Sequence, residues 1–99
     1  MNKQKVSNLL GLAQRAGKII SGEEMVVKAI QDRKVKLVFL AYDASPNLTK
    51  KIQDKSHYYQ VEVITVFSTL ELSIAVGKSR KVLAVTDAGF TKKMRSLME

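Results

Sequence analysis

The apolar residues of this chain switch repeatedly between helical spacing and short continuous runs, and this alternation limits the folds open to it. Residues 3–16 have helical spacing, and further helices are predicted from Ser21-Gly22, from Pro46, from Ser68 or Thr69 and after Gly89. Four apolar or β-branched runs predict strands at residues 18–20, 37–41, 61–67 and 82–85. The resulting order, αβαβαβαβα with short connections, predicts an α/β fold whose central sheet is covered by helices on both faces.

The size and residue types of the chain limit its class. Its 99 residues leave room for one hydrophobic core, so we expect a single domain over residues 1–99. The absence of cysteine excludes disulfides, thiolate metal sites and a cysteine nucleophile. No apolar run approaches the roughly 20 residues of a membrane span, and the N-terminus lacks the apolar segment of a signal peptide. We therefore expect a cytoplasmic protein.

Positive charge dominates the surface chemistry of the chain. Seventeen Lys and Arg against nine Asp and Glu give a formal net charge of +8 and an isoelectric point near 9.9. Solubility alone could be met equally well by negative charge, whereas a polyanionic partner requires positive charge. Nucleic acid is the common polyanion, so the charge favours a nucleic-acid-binding function.

Residues able to support catalysis are sparse. His57 is the only histidine, and without cysteine it cannot form the usual metal-ligand set. Glu23 and Glu24 are adjacent, so on a helix their side chains diverge by about 100° and cannot act as an acid/base couple. Asp43 and Asp87 each follow a strand and precede a helix, and we expect both to cap those helices. We therefore expect no enzymatic activity and no cofactor or metal.

Three connections have residues suited to an anionic ligand, and we expect the sheet to gather them at one edge. The first is Ser21-Gly22, where glycine allows close backbone approach and the helix start offers free N–H groups, with Lys28 further along the same helix. The second is the turn from Asp43 to Pro46. The third is the 77–81 loop, which contains three basic side chains, those of Lys78, Arg80 and Lys81.

Four segments, in order, resemble the kink-turn-binding ribosomal protein superfamily of the archaeal L7Ae and eukaryotic L30e type. Residues 21–30 (Ser-Gly-Glu-Glu-Met-Val-Val-Lys-Ala-Ile) resemble its signature helix, and residues 36–46 (Lys-Leu-Val-Phe-Leu-Ala-Tyr-Asp-Ala-Ser-Pro) its strand-and-turn block. Residues 72–77 (Leu-Ser-Ile-Ala-Val-Gly) are similar to the block before its last strand. The opening residues 9–18 (Leu-Leu-Gly-Leu-Ala-Gln-Arg-Ala-Gly-Lys) resemble the bacterial YlxQ branch in particular.

This resemblance implies a three-layer α/β/α sandwich with a central mixed sheet of about four strands, which grips a sharply bent RNA. Members of the superfamily place the glycine-opened helix start against sheared G·A pairs of the kink. The positions that fall on this helix motif are Gly22, Glu23, Glu24, Met25 and Lys28. Arg80 and Lys81, with Lys78 beside them, fall on the second RNA-contacting loop, and Asp43 and Pro46 fall on the turn beside it.

Two adjacent positions depart from the superfamily pattern, because archaeal members have Asn-Glu where this chain has Glu24-Met25. An amide can donate and accept at a guanine edge, whereas a carboxylate only accepts and methionine packs. This difference predicts weaker kink-turn recognition or a different RNA. We expect a monomer that binds structured RNA, on the ribosome or in regulation. A protein-interaction module of the same fold remains the alternative, since a fold does not fix a function.

Overall fold

The computed structural model describes residues 1–99 and has nine elements in the predicted order. In chain order they are α1 (Lys3–Arg15), β1 (Ile19–Ser21), α2 (Glu23–Gln31), β2 (Leu37–Leu40), α3 (Pro46–Tyr58), β3 (Glu62–Ile64), α4 (Thr69–Val76), β4 (Val82–Val85) and α5 (Ala88–Met98). The predicted alternation of helices and strands is thereby confirmed. No helix is both long and apolar enough to cross a membrane.

The third strand is shorter than the predicted run over residues 61–67. Only Glu62–Ile64 pairs with β2, and regular pairing ends at Ile64. Beyond it, the Phe67 carbonyl accepts a single bond from the Tyr42 N–H at 3.0 Å. Phe67 then turns into the core, where its ring lies 5.9 Å from that of Phe39. An apolar residue buried after a strand resembles one within a strand, which is why the sequence pattern overestimated this element.

The four strands form one mixed sheet in the order β1-β4-β2-β3. Strand β4 runs antiparallel to both of its neighbours, with Leu83 opposite Ser21 in β1 and Val82 opposite Leu40 in β2. The β2–β3 pair is parallel. The expected mixed sheet of four strands is therefore confirmed.

All four residues of β2 and of β4 are buried, because helices cover both faces of the sheet. Successive side chains of a strand point to opposite faces. Phe39 and Leu83 accordingly pack with the buried residues of α1, α4 and α5, whereas Val38 and Ala84 pack with those of α2 and α3. This arrangement is the three-layer α/β/α sandwich that the resemblance implied.

Four of the five helices begin at a residue whose side chain accepts a hydrogen bond from the first turn. These capping residues are Asn2, Ser45, Ser68 and Asp87. The predicted capping role of Asp87 is thus confirmed, since its carboxylate accepts from the Phe90 N–H at 2.8 Å. Helix α2 is the exception, because it begins at Gly22 with no side-chain cap.

Helix α4 offers a matched pair of leucines for testing the core. Leu72 is fully buried, whereas Leu70 in the same helix is 69% exposed. We expect Leu72→Ala to lower the free energy of unfolding by about 2–5 kcal/mol, because it leaves a cavity against the sheet. Leu70→Ala should change it by no more than about 0.5 kcal/mol. Urea unfolding measures both values, and equal losses would contradict the packing described here.

Candidate functional site

Strand pairing places the three candidate connections at one edge of the sheet, as expected. The ends of β1 and β2 lie beside the start of β4, because β4 runs antiparallel to both. Two hydrogen bonds extend this pairing into the connections. The Gly22 N–H donates to the Val82 carbonyl at 3.2 Å, and the Ala41 N–H donates to the Lys81 carbonyl at 2.8 Å.

The start of α2 depends on the backbone of Gly22. Its φ of 93° and ψ of 150° lie in a region that essentially only glycine adopts. A Cβ at this position would meet nothing within 4 Å, so glycine is required by conformation and not by space. Because no side chain caps the helix, the first-turn N–H groups can donate to a ligand, helped by the helix dipole.

The side chains of the first turns of α2 have different surroundings. The Glu23 carboxylate pairs with Lys51 of α3 at 2.8 Å, and this carboxylate raises the pKa of Lys51 above its ordinary value. Glu24 and Lys28 are one helical turn apart and exposed, opposite the buried face of α2. Met25 is 58% exposed. The outer face of α2 therefore presents a carboxylate, a thioether and an ammonium group to solvent.

The position of Arg80 in the 77–81 loop is fixed by three hydrogen bonds. Its backbone N–H donates to Ser73 Oγ at 3.0 Å, its Nε donates to Ser21 Oγ at 2.9 Å, and its Nη1 donates to the Ser79 carbonyl at 2.7 Å. The bond to Ser21 links this loop to the residue preceding Gly22. The loop and the start of α2 are thus held together before any ligand arrives.

The basic side chains of this loop do not take part in the ion pairs of the chain. The chain has four ion pairs, formed by Lys3, Lys50, Lys51 and Arg95. None of them includes Lys78, Arg80 or Lys81. These three side chains therefore form no ion pair at the edge where α2 begins, although Lys81 is close enough to Asp43 to help lower the pKa of that carboxyl.

Asp43 does not cap the helix that follows it, which corrects the prediction. The N-cap must directly precede the first helical residue, here Pro46, so Ser45 takes this role and accepts from the Leu48 N–H at 3.2 Å. Asp43 Oδ1 instead accepts from Thr69 at the start of α4, from the N–H at 2.9 Å and from Oγ1 at 2.7 Å. The β2–α3 turn is thereby joined to α4.

The structure thus brings together nearly all of the predicted site residues. Those at the shared edge are Gly22, Glu23, Glu24, Met25, Asp43, Pro46, Lys78, Arg80 and Lys81. Lys28 lies about 7.5 Å further along α2 than Glu23, at 1.5 Å per residue. The sequence reasoning did not predict the contacts that hold this edge together, which are made by Ser21, Lys51, Thr69 and Ser73.

The Asp43–Thr69 contact predicts a measurable titration. Donation from the Thr69 hydroxyl and N–H lowers the pKa of Asp43 below its ordinary value of 3.8. A lowered pKa means that this contact stabilises the fold above about pH 3.8 and that the contribution is lost as pH falls through the folded value. In Thr69→Val, which keeps only the N–H, the Asp43 pKa should rise toward 3.8 in an NMR titration. An unchanged pKa would contradict the contact.

Comparison with known proteins places this arrangement in a family. The model of the ribosomal protein L7Ae/L30e/S12e/Gadd45 family matches residues 4–95. The RNA-binding protein YlxQ of Enterococcus faecium is 50% identical over 98 residues, which cover 99% of this chain and 95% of that protein. The RNA-binding protein YlxQ of Bacillus subtilis (strain 168) is 49% identical over 92 residues, or 92% of each chain.

Solved structures agree with this assignment. A Bacillus halodurans protein described as having unknown function is 45% identical, with a TM-score of 0.90 over 95% of this chain and 96% of that one. The Giardia lamblia 15.5kD RNA binding protein is 17% identical, with a TM-score of 0.83 over 95% of this chain and 82% of that one, and so shares the fold. The chain therefore belongs to the ribosomal protein L7Ae/L30e/S12e/Gadd45 family.

Proposed function

We propose that this protein binds structured RNA, a kink-turn or a similar bent internal loop, and catalyses no reaction. The observation that carries the proposal is the shared edge, where the uncapped start of α2 lies beside the anchored Arg80 loop. The YlxQ relatives are named RNA-binding proteins, which supports the same ligand class. The RNA-binding residues proposed are those of this edge together with Lys28.

Phosphate binding is the first part of the proposed recognition. Lys78, Arg80 and Lys81 belong to no ion pair, and the whole chain has a formal net charge of +8. Each cation that neutralises a phosphate releases a condensed counterion, which favours binding at low salt. Because its Nε and Nη1 already donate within the protein, Arg80 is oriented with Nη2 left for a phosphate oxygen.

Base recognition is the second part, and we assign it to the first turn of α2. The free N–H groups there can donate to base acceptors, while the Glu24 carboxylate can accept from guanine amino groups. Met25 is exposed and offers an apolar surface for packing against an unstacked base. A bent internal loop supplies such exposed base edges, whereas a regular RNA duplex hides them in its deep major groove.

The setting of this activity is also part of the proposal. The family is described as ribosomal, which favours an RNA on the ribosome or in its regulation. We propose that one monomer in the cytoplasm binds one such RNA, within a single RNA-binding domain over residues 1–99. The lone histidine, His57, is exposed near the end of α3, so it adds nothing to the edge that would favour catalysis.

A bent RNA and a straight duplex of equal length test the proposal directly. We expect the bent RNA to bind at least about tenfold more tightly, because only it exposes base edges to the start of α2. Titration calorimetry at several salt concentrations measures both affinities. Equal affinity for the two RNAs would overturn the proposal, and retention of a protein partner after nuclease treatment would favour the interaction-module alternative.

Single variants separate the parts of this recognition. Arg80→Ala should weaken binding of the bent RNA. It should also make the negative slope of log K against log salt shallower by about one. Arg15→Ala removes the same charge from the exposed last turn of α1 and serves as the matched control.

Ser21→Ala should weaken binding with the slope unchanged, because it frees Arg80 without removing charge. Glu24→Ala should lower the ratio of the affinities for the bent RNA and the straight duplex, with little change in the salt slope.

A further inference from the structure

The opposite edge of the sheet has a second concentration of positive charge. There Leu37 at the start of β2 pairs with Val85 at the end of β4, so the α2–β2 connection lies beside the start of α5. Between them is an open cavity of about 570 Å³. Five basic side chains line it, and we call them the second basic surface: Arg33, Lys34, Lys36, Lys92 and Arg95.

The acids near this surface do not neutralise it. Arg95 pairs with Glu62 at 2.8 Å and also donates to the Lys36 carbonyl at 3.2 Å. Asp87, whose carboxylate caps α5, is one of only two acids in a lining with five basic side chains. Glu99, at the end of the chain, is the one other acid in the lining. The other four basic side chains, those of Arg33, Lys34, Lys36 and Lys92, belong to no ion pair.

Arg33 occupies a backbone conformation that usually belongs to glycine. Its φ is 58°, and it ends α2 in a turn where the Lys34 N–H donates to the Ala29 carbonyl at 2.9 Å. Its guanidinium lies 5.2 Å from the centroid of the Tyr59 ring, whose neighbour Tyr58 is 76% exposed. The same turn ends α3, where Gln60 has a φ of 59°, so this backbone is an ordinary helix end. The contact with the Tyr59 ring is what orients the Arg33 guanidinium at this surface.

The helix dipoles explain only part of this cluster. The C-terminal end of α2 favours cations at Arg33 and Lys34. Lys92 is the fifth residue of α5 and lies beyond its first turn, so no helix dipole accounts for its charge. Five of the twelve lining residues are basic, and Val85 and Ala88 are the only hydrophobic ones. This concentration of positive charge fits a phosphate backbone.

We propose that the second basic surface binds the phosphate backbone of a second RNA segment, so that one chain holds two RNA segments at opposite edges of its sheet. This inference rests on the proposed function for the first segment. Lys34, Lys36, Lys92 and the oriented Arg33 contact the phosphates. The exposed ring of Tyr58 offers a stacking face for an unpaired base where the second segment has one.

A capture experiment tests this second surface with its own controls. Bent RNA is immobilised and saturated with protein, and a straight RNA duplex is then passed over it. We expect the wild-type protein to capture the duplex. The double variant Lys34→Gln/Lys92→Gln should weaken capture by about tenfold or more, while its affinity for the bent RNA changes by less than about twofold.

The matched control is Lys5→Gln/Lys93→Gln, which removes the same charge from exposed, unpaired lysines of α1 and α5 and should capture like the wild type. Failure of the wild type to capture, or equal losses in both double variants, would overturn the inference. Displacement of the duplex by polyglutamate at a lower concentration than unlabelled duplex of equal charge requires would also overturn it and indicate an acidic protein partner.

The two proposals fail separately in this design. If the bent RNA does not bind, the proposed function is wrong. The second surface is then tested by immobilising the protein itself and titrating the duplex onto it. A greater loss for Lys34→Gln/Lys92→Gln than for its control then still supports the second surface. Equal losses contradict it.

Discussion

The antiparallel pairing of β4 with both β1 and β2 is the constraint on which the rest of the site depends. It places the start of β4 beside the ends of its two neighbours, so the 77–81 loop lies next to Gly22 and to the Asp43 turn. A parallel β4 would carry this loop to the other edge of the sheet. The bonds from the Gly22 and Ala41 N–H groups continue the pairing beyond the strands and fix the backbone of the site.

Small polar side chains then hold this edge in one conformation. Ser21 and Ser73 fix Arg80, and Thr69 fixes Asp43. A loop that is ordered before binding loses less conformational entropy when a ligand arrives, which favours affinity. The flexible side chains left over at the edge, those of Lys78 and Lys81, can adapt to phosphates around this fixed frame.

Much of the fold could be predicted from the sequence, because its signals are local. The apolar runs of β2 and β4 predict strands buried on both faces, and Gly17 and Gly77, both with positive φ, lie where helices α1 and α4 end. The contacts that complete the site could not be predicted in the same way. Arg80 and Ser21 are 59 residues apart, and Asp43 and Thr69 are 26 apart. Strand order and register bring these pairs together, so their contacts can be predicted only when both are known. A serine or threonine in the sequence gives no sign of a distant partner.

The two edges of the sheet divide the proposed chemistry of the protein, with base and phosphate recognition at one edge and phosphate binding alone at the other.

The central claim is that bent RNA binds at the edge where α2 begins. Its most direct test is the change in backbone amide NMR shifts when one equivalent of bent RNA is added. The largest changes should fall on Gly22 to Met25, on the Asp43 turn and on the 77–81 loop, with smaller ones around Arg33 and Lys92. Largest changes at the Arg33 and Lys92 edge, or an even spread over the surface, would contradict this claim.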